Sequence, residues 1–417
     1  MRTSFTFLFI ALFSATVFAG DPPIKWKGDI RVRGELDGRD FLKKTPPNLY
    51  TLLRSRLSAE ATPIDRVNLF FQIQDSRTFG EEKDALGSFN TISNTKNLDV
   101  HQAYLKVDSL LAEGLSLKLG RMEMAYGNER IVGSVGWNNI GRSFDGGVLR
   151  YASQKEYIDL FVMNVSETTV PPSVATVGSV SAARDTGQMF SGMYYSGKPM
   201  ENHQLDIYAM HQLDRLRPNG ADNKLSRFTL GTLFKGNTNS VLYDAEFAYQ
   251  TGKTGATNIG AMMFAILLGY NFTDLPVTSV SAGFDYLSGN KDNDTDMKAF
   301  DPMYHTGHKF YGFMDYFISI PANTANRGLQ DMYARVVLKP EANTSLAIWG
   351  HFFQYAQPLK DVQGIGQEID IVGQYKYNKN LSFELGLCGF LPGEIMRTNF
   401  KGADMAIWSY FTTNVWF

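Results

Sequence analysis

Residues 24–36 read Ile-Lys-Trp-Lys-Gly-Asp-Ile-Arg-Val-Arg-Gly-Glu-Leu and alternate between apolar and charged or small side chains. Trp26 and Ile30 fall on one face, whereas Arg31 and Arg33 fall on the other. Because successive side chains of a β-strand point to opposite faces, this stretch predicts a strand with one apolar and one charged side. One such strand fits a soluble sandwich as well as a membrane barrel, so the decision rests on the segments that follow.

The same alternation continues to the end of the chain, and the connections are by turns tight and long. Residues 62–65 form a tight turn, whereas residues 37–49 form a long polar connection. This rhythm is typical of an outer-membrane β-barrel, which has short periplasmic turns and long extracellular loops. It predicts an all-β, antiparallel transmembrane barrel of about 18 strands, with 16 as the alternative, and both termini at the periplasmic end. The predicted strands are 24–36, 53–62, 66–78, 99–107, 115–125, 146–153, 156–165, 188–197, 203–213, 225–235, 240–250, 260–270, 277–288, 329–339, 344–355, 367–376, 381–391 and 403–417.

Composition excludes several other classes of protein. The chain has 417 residues and a formal net charge of -2, so no global positive field attracts nucleic acid. Cys388 is the only cysteine, which excludes a disulfide scaffold and a cysteine-based metal site. The most apolar run after the first 20 residues, 261–269, is roughly half the ~20 residues that a spanning helix needs. A membrane location therefore requires strands.

The first residues predict export from the cytoplasm. Residues 1–19 contain a positive charge at Arg2, an apolar run and a small residue, Ala19, at a position typical of a signal-peptidase cleavage site. This is the pattern of a cleaved secretory signal. We therefore expect a signal peptide at 1–19 and a barrel at 20–417, located in the outer membrane of a Gram-negative bacterium. Strands begin soon after the signal, without a plug domain, so the lumen is expected to hold water.

The last strand predicts the partners of the barrel. Phe411, Val415 and Phe417 lie on one face, and the chain stops on an aromatic residue, as outer-membrane barrels do for their assembly machinery. We expect contacts with outer-membrane lipid and lipopolysaccharide, and with the barrel-assembly machinery through Phe417. Trp408, Tyr410 and Trp416 are candidates for an interfacial aromatic belt, although they have the opposite parity to Phe417.

Charges on the predicted lumen face are unevenly distributed. Arginines dominate the first two strands, and a positively lined constriction is typical of an anion-selective pore. The alternative is that these charges pair across strands and only solvate the wall. Acidic residues dominate later strands, which predicts a transverse electric field across the lumen. The basic set is Lys25, Lys27, Arg31, Arg33, Arg54, Arg56 and Arg66, opposed by Asp29, Glu35 and Glu60. The later set is Asp244, Glu246, Asp285, Asp331 with Arg335, Glu368 and Asp370.

One segment resembles the alginate-export family of outer-membrane barrels. The family pattern is present at Gly120-Arg121, Tyr126-Gly127, Glu129-Arg130, Trp137-Asn138 and Arg142 to Gly146. Residues 101–106 and 300–317 also resemble members of this family. The resemblance implies an 18-stranded pore whose arginines and lysines guide an anionic polysaccharide outward. Many members occur in organisms that make no alginate, so the family name alone does not define the substrate.

The resemblance and the charge pattern together give a set of candidate residues. The resemblance implies that Glu129 and Asp145 pair with the arginines of this segment in an ion-pair network that holds a loop. A purely structural Arg–Asp latch that folds the third loop inward is the alternative to a role in guiding solute. The candidate pore-lining or substrate-guiding residues are Arg31, Arg33, Arg54, Arg56, Lys118, Arg121, Arg130, Arg142, Arg150 and Arg335.

The sequence thus predicts a passive pore for anionic or polar solutes, with polysaccharide export included. Residues 127–143 and 289–327 are expected to restrict access as loops. A general porin or uptake channel for sugars or organic acids is the first alternative, and an adhesion or structural barrel is the second. No nucleophile elbow is present, and the Asp292-Asn-Asp-Thr-Asp296 run lacks the glycine and glutamate of a calcium loop. We therefore expect no enzymatic activity, no cofactor and no metal.

Overall fold

Eighteen antiparallel strands form the wall of the molecule, as predicted. The computed structural model describes residues 24–80, 98–166, 187–215, 224–273 and 275–417, so the predicted signal peptide lies outside the described residues. The strands are β1 (Lys25–Gly38), β2 (Asn48–Ile64), β3 (Val67–Thr78), β4 (Leu98–Val107), β5 (Leu115–Met122), β6 (Phe144–Ala152), β7 (Glu156–Ser166), β8 (Gln188–Gly197), β9 (His203–Asp214), β10 (Leu225–Thr238), β11 (Val241–Thr254), β12 (Thr257–Asn271), β13 (Val277–Leu287), β14 (Leu329–Glu341), β15 (Thr344–Leu359), β16 (Val362–Lys376), β17 (Leu381–Pro392) and β18 (Ala406–Trp416).

The sheet closes on itself. Each strand pairs with its neighbours in sequence, and β1 pairs with β18 so that Ile30 lies opposite Val415. Closure satisfies the backbone hydrogen bonds of every strand, which is required of a sheet that crosses hydrocarbon. The short turns, such as those between β2 and β3 and between β16 and β17, lie at the end of the barrel where β1 begins, and short turns are periplasmic in bacterial barrels.

Strand β12 shows how the alternation sorts side chains between lipid and lumen. Ile266 and Leu268 face outward and are 46% and 60% exposed, whereas Met263 and Ala265 face inward and are each 1% exposed. The most apolar run after the first 20 residues thus crosses as a strand. No helix among the described residues is long and apolar enough to cross a membrane.

Several boundaries and connections differ from prediction. β2 begins at Asn48 instead of residue 53, and β5 ends at Met122 instead of residue 125. The long connection predicted at 357–366 is wrong, because β15 and β16 continue to a two-residue turn, Lys360–Asp361. Both turn residues have positive φ, 49° and 67°, as a tight hairpin with matching strand twist requires. The 393–405 connection contains a short helix, α1 (Glu394–Phe400).

Two long connections turn back into the barrel. We call residues 123–143, between β5 and β6, the first inward loop, and residues 288–328, between β13 and β14, the second inward loop. They meet at a parallel bridge between Val132 and Tyr304. Their apolar side chains form a buried cluster with the inner wall, which includes Ile131, Val132, Phe300, Met314 and Phe317 from the loops and Phe161, Phe190 and Phe353 from the strands.

The inward loops correct two expectations from the sequence. The extracellular half of the lumen holds packed side chains where water was expected. These side chains belong to the two inward loops, which fold into the barrel from between the strands. Trp408 and Tyr410 do not belong to an interfacial belt. Both are 2% exposed and point inward, where they contact Trp137 of the first inward loop.

Candidate functional site: inward loops and the cavity beside them

Four arginines on the inner face of β1 and β2 hold the tip of the first inward loop. Their guanidinium groups donate to backbone carbonyl oxygens of the loop. Arg31 donates to Gly136 O at 3.0 Å and to Asn138 O at 2.9 Å, Arg33 to Trp137 O at 2.9 Å, Arg54 to Gly136 O at 2.9 Å, and Arg56 to Ile140 O at 3.3 Å. We call Arg31, Arg33, Arg54 and Arg56 the arginine clamp.

The members of the arginine clamp differ in their acidic partners. Arg33 pairs with Glu35 at 2.7 Å, Arg54 with Asp29 at 3.4 Å, and Arg56 with Glu123 at 3.3 Å. Arg31 has no acidic partner in the part of the chain that the structure describes. It lies directly opposite Arg54 in the β1–β2 ladder, an arrangement of like charges that is unfavourable by itself.

Arg130 fixes the middle of the first inward loop to the opposite wall. Its guanidinium is 2.5 Å from Asp285 of β13 and 3.8 Å from Glu246 of β11, and it lies 4.1 Å over the ring of Phe310. Burial alone would lower the pKa of Arg130, but Asp285 raises this pKa well above its ordinary value. Arg130 is therefore a permanent cation buried between two carboxylates.

Glu129 and Arg142 join the two inward loops to each other. Glu129 accepts a hydrogen bond from Thr306 Oγ1 at 2.6 Å and pairs with Lys309 at 3.2 Å. Arg142 donates to the carbonyl oxygens of Tyr304 and His305. Both residues therefore bind the second inward loop.

Asp145 lies apart from Glu129, at the start of β6. It pairs with Arg121 of β5 at 2.9 Å, directly across the ladder. The two acidic residues named as a latch thus have different partners, Lys309 for Glu129 and Arg121 for Asp145.

The remaining candidates lie on the inner wall. Lys118 lies 3.9 Å over the ring of Tyr104, and Arg150 makes two hydrogen bonds to Asp159 at 2.6 and 2.7 Å. Arg335 lies 4.6 Å over the ring of Trp349. Within the described ranges Arg335 has no hydrogen-bond or acidic partner, and its Nε is buried. It is therefore the candidate most available to an anion.

The acidic residues of β13–β16 form a buried network on the inner wall. His351 is 2.9 Å from Asp331 and 3.9 Å from Asp370, and Glu368 accepts a hydrogen bond from the backbone of Met314 at 2.8 Å. This wall lies on β13–β16, and the arginine clamp lies on β1 and β2. Much of the charge on both lies against the inward loops, and the transverse field stays a prediction.

A cavity of about 660 Å³ lies between the inward loops and the periplasmic turns. Gln374 and Glu384, which flank the periplasmic turn at 377–380, line its outer part, and Arg335 lines its wall. The aromatic side chains in its lining are Trp137, Phe310, Tyr311, Phe313, Tyr333, Trp349 and Tyr410. Alternation along each strand identifies the inward side chains, but it does not show that these distant residues share one cavity.

The acidic residues of the second inward loop are used in pairing. Asp292 pairs with Arg327, and Asp294 pairs with Lys298 at 2.6 Å. Across the ranges that the structure describes, no group of three or more His, Cys, Asp and Glu side chains is placed to hold a metal ion.

His305 is a buried histidine of the second inward loop, and we expect it to make docking of this loop sensitive to acid. Burial, and secondarily the charge of Arg142, lowers the pKa of His305 to about 4. Because the pKa is depressed, we expect docking to be fully stable above the ordinary value of 6.5 and to weaken as pH falls toward 4. We expect the open probability of single channels to rise over this range. His305→Phe should remove the component of the rise that belongs to this group, and an unchanged pH profile in that variant would refute the assignment.

Comparison with known proteins adds a family and a set of similar barrels. The alginate export family model matches residues 23–408, and no curated protein matches the chain. OccAB4 of Acinetobacter baumannii is 10% identical, with 95% of this chain and 98% of that one covered and a TM-score of 0.62. OccK3 (OpdO) of Pseudomonas aeruginosa is 10% identical, with coverage of 94% and 96% and a TM-score of 0.61. OpdK of Pseudomonas aeruginosa with vanillate is 11% identical, with coverage of 94% and 98% and a TM-score of 0.58. At these identities the likeness shows a shared barrel fold.

Proposed function

The chain belongs to the alginate export family and is an outer-membrane pore, and we propose that it passes small anionic or polar solutes passively, without catalysing a reaction. The cavity beside the inward loops carries this proposal. Its volume of about 660 Å³ is in the range of sites for single small molecules. A sugar acid or small organic acid is therefore a better match to this space than an extended polymer.

The chemistry of the cavity favours a carboxylate on a ring. The guanidinium of Arg335 can donate two parallel hydrogen bonds to a carboxylate. It stacks on the ring of Trp349, which helps to fix its orientation. Aromatic side chains around it provide flat apolar surfaces on which a ring can lie. The presence of vanillate, a small aromatic carboxylate, with the similar barrel OpdK supports the same class of solute.

Export of an anionic polysaccharide is the second candidate, and the family description favours it. A polymer must pass the position of the inward loops, so this function requires both loops to move. Flux of mannuronate oligomers at the rate of the monomer would support this candidate over the first.

Substitution of Arg335 tests the proposal. In proteoliposomes, we expect Arg335→Gln to reduce glucuronate flux several-fold and to leave glucose flux near the wild-type rate, because only the anion uses the guanidinium. Arg397→Gln, on the exposed face of α1, is the matched control. Equal losses for both sugars, or no loss for glucuronate, would argue against this role of Arg335. A wild-type protein that passes neither sugar would instead favour an adhesion or structural barrel.

We also propose that Phe417 is recognised by the barrel-assembly machinery. Phe417 follows the last residue of β18 and is 65% exposed. Its backbone forms hydrogen bonds with that of Gly28 where β18 meets β1 and closes the barrel. The outer position of an aromatic carboxy-terminal residue supports recognition during assembly. Lipid and lipopolysaccharide surround the finished barrel.

A further inference from the structure

The arginine clamp contains more positive charge than its acidic partners neutralise. Arg31 is 6% exposed, and its partners in the described chain are two backbone carbonyls. Its Nε and that of Arg54 are buried without a hydrogen-bond partner. Burying a cation without an anion is costly, and two cations lie directly opposite each other here.

The loop carbonyls are weaker partners for these guanidinium groups than an anion would be. A hydrogen bond between two charged groups is roughly twice as strong as one between neutral groups, and a carboxylate can accept two parallel bonds from one arginine. The carbonyls of Gly136 and Asn138 occupy the two donors of Arg31 that a carboxylate would use. Gly136 O also accepts from Arg54.

The clamp is next to the cavity. Gly136 and Trp137 line the cavity and are also held by the clamp. Trp137 lies under the guanidinium of Arg33 at 4.0 Å and stacks on His308 of the second inward loop at 3.9 Å. Movement of this tip would therefore loosen the contact between the two inward loops.

We propose that the Arg31–Arg54 pair is a carboxylate-binding site that the tip of the first inward loop occupies in the resting pore. A carboxylate that enters from the cavity exchanges with the carbonyls of Gly136 and Asn138, and the tip is released. The solute thus opens its own path, and a neutral sugar does not. This inference rests on the proposed function, since it makes the transported anion the opening signal.

Hydrogen exchange of residues 133–142 tests whether a carboxylate displaces the loop carbonyls from the Arg31–Arg54 pair. In this segment Gly133 N donates to Tyr304 O, and Arg142 N donates to Ser134 O, so these amides report docking. We expect glucuronate to speed their exchange several-fold in the full-length protein, whereas glucose at equal concentration and ionic strength has no effect. In Arg31→Met/Arg54→Met the segment should exchange rapidly from the start, with no further effect of glucuronate. Arg397→Gln should behave as wild type.

The outcomes separate this inference from the proposed function. Unchanged or slower exchange with glucuronate, or an equal response to glucose, would overturn the inference while leaving passage of small anions possible. Faster exchange without any glucuronate flux in proteoliposomes would support binding at the clamp and count against the proposed function. If the double variant does not fold into a heat-modifiable barrel, Arg31→Lys replaces it, with a reduced response to glucuronate expected because lysine lacks the bidentate fork.

Discussion

Replacing Arg130 with Met is expected to release the first inward loop from the β11–β13 wall. The guanidinium is buried between Asp285 and Glu246, so its loss leaves two buried carboxylates without their cation. Breaking a buried pair by removing one partner costs about 3–5 kcal/mol. We expect this loss in the free energy of loop docking, measured as faster hydrogen exchange of residues 123–143, with the barrel itself still folded.

A double variant separates the ion pair from side-chain packing. In Arg130→Met/Asp285→Asn the remaining buried charge is smaller, so the loss of docking energy should be less than the sum of the two single losses. Arg397→Met, on the exposed face of α1, should leave exchange of the loop unchanged. Additive losses in the double variant would show that Arg130 acts through packing on Phe310 instead of through its charge.

Replacing residues 124–142 with a short glycine–serine linker is expected to widen the pore. Met122 and Phe144 are directly paired across β5 and β6, so a short turn can join these strands without distorting the ladder. Without the first inward loop, the second loses its contacts with Glu129 and Arg142. We expect the wild-type protein to exclude sugars larger than a disaccharide and the variant to admit them into proteoliposomes in a swelling assay.

The control for this variant is a double substitution in a periplasmic turn, Asp65→Gly/Arg66→Gly, which leaves both inward loops intact. Arg66 has a positive φ of 64°, so glycine is tolerated there. This control should keep the wild-type size limit. An unchanged limit in the loop-replacement variant would mean that the second inward loop alone sets the size of the passage.

Local sequence was sufficient to predict the wall of the barrel. Period-two alternation is a property of neighbouring residues, and it assigned Arg31 and Arg33 to the inner face and Ile30 to the outer face correctly. It failed at 357–366, where polar residues were interpreted as a loop although β15 and β16 extend through them. Strands that extend beyond the membrane carry polar residues on both faces, so alternation weakens there.

The interior depends on contacts that no local pattern records. Arg31 meets Gly136 across 105 residues, and Arg130 meets Asp285 across 155 residues. Charge on the inner face was predicted, but the sequence left open whether those charges face water, pair with one another or hold a loop. Trp408 illustrates the same limit, because an aromatic near the end of a last strand fits a membrane belt until its contact with Trp137 is known.

Single-channel conductance, recorded for the wild-type protein and the loop-replacement variant in the same planar bilayer, tests most directly the claim that two inward loops close this pore. We predict small, brief wild-type openings that glucuronate lengthens, and a several-fold larger and steady conductance in the variant. Equal conductances in the two proteins, or a wide and steady wild-type pore, would contradict the account.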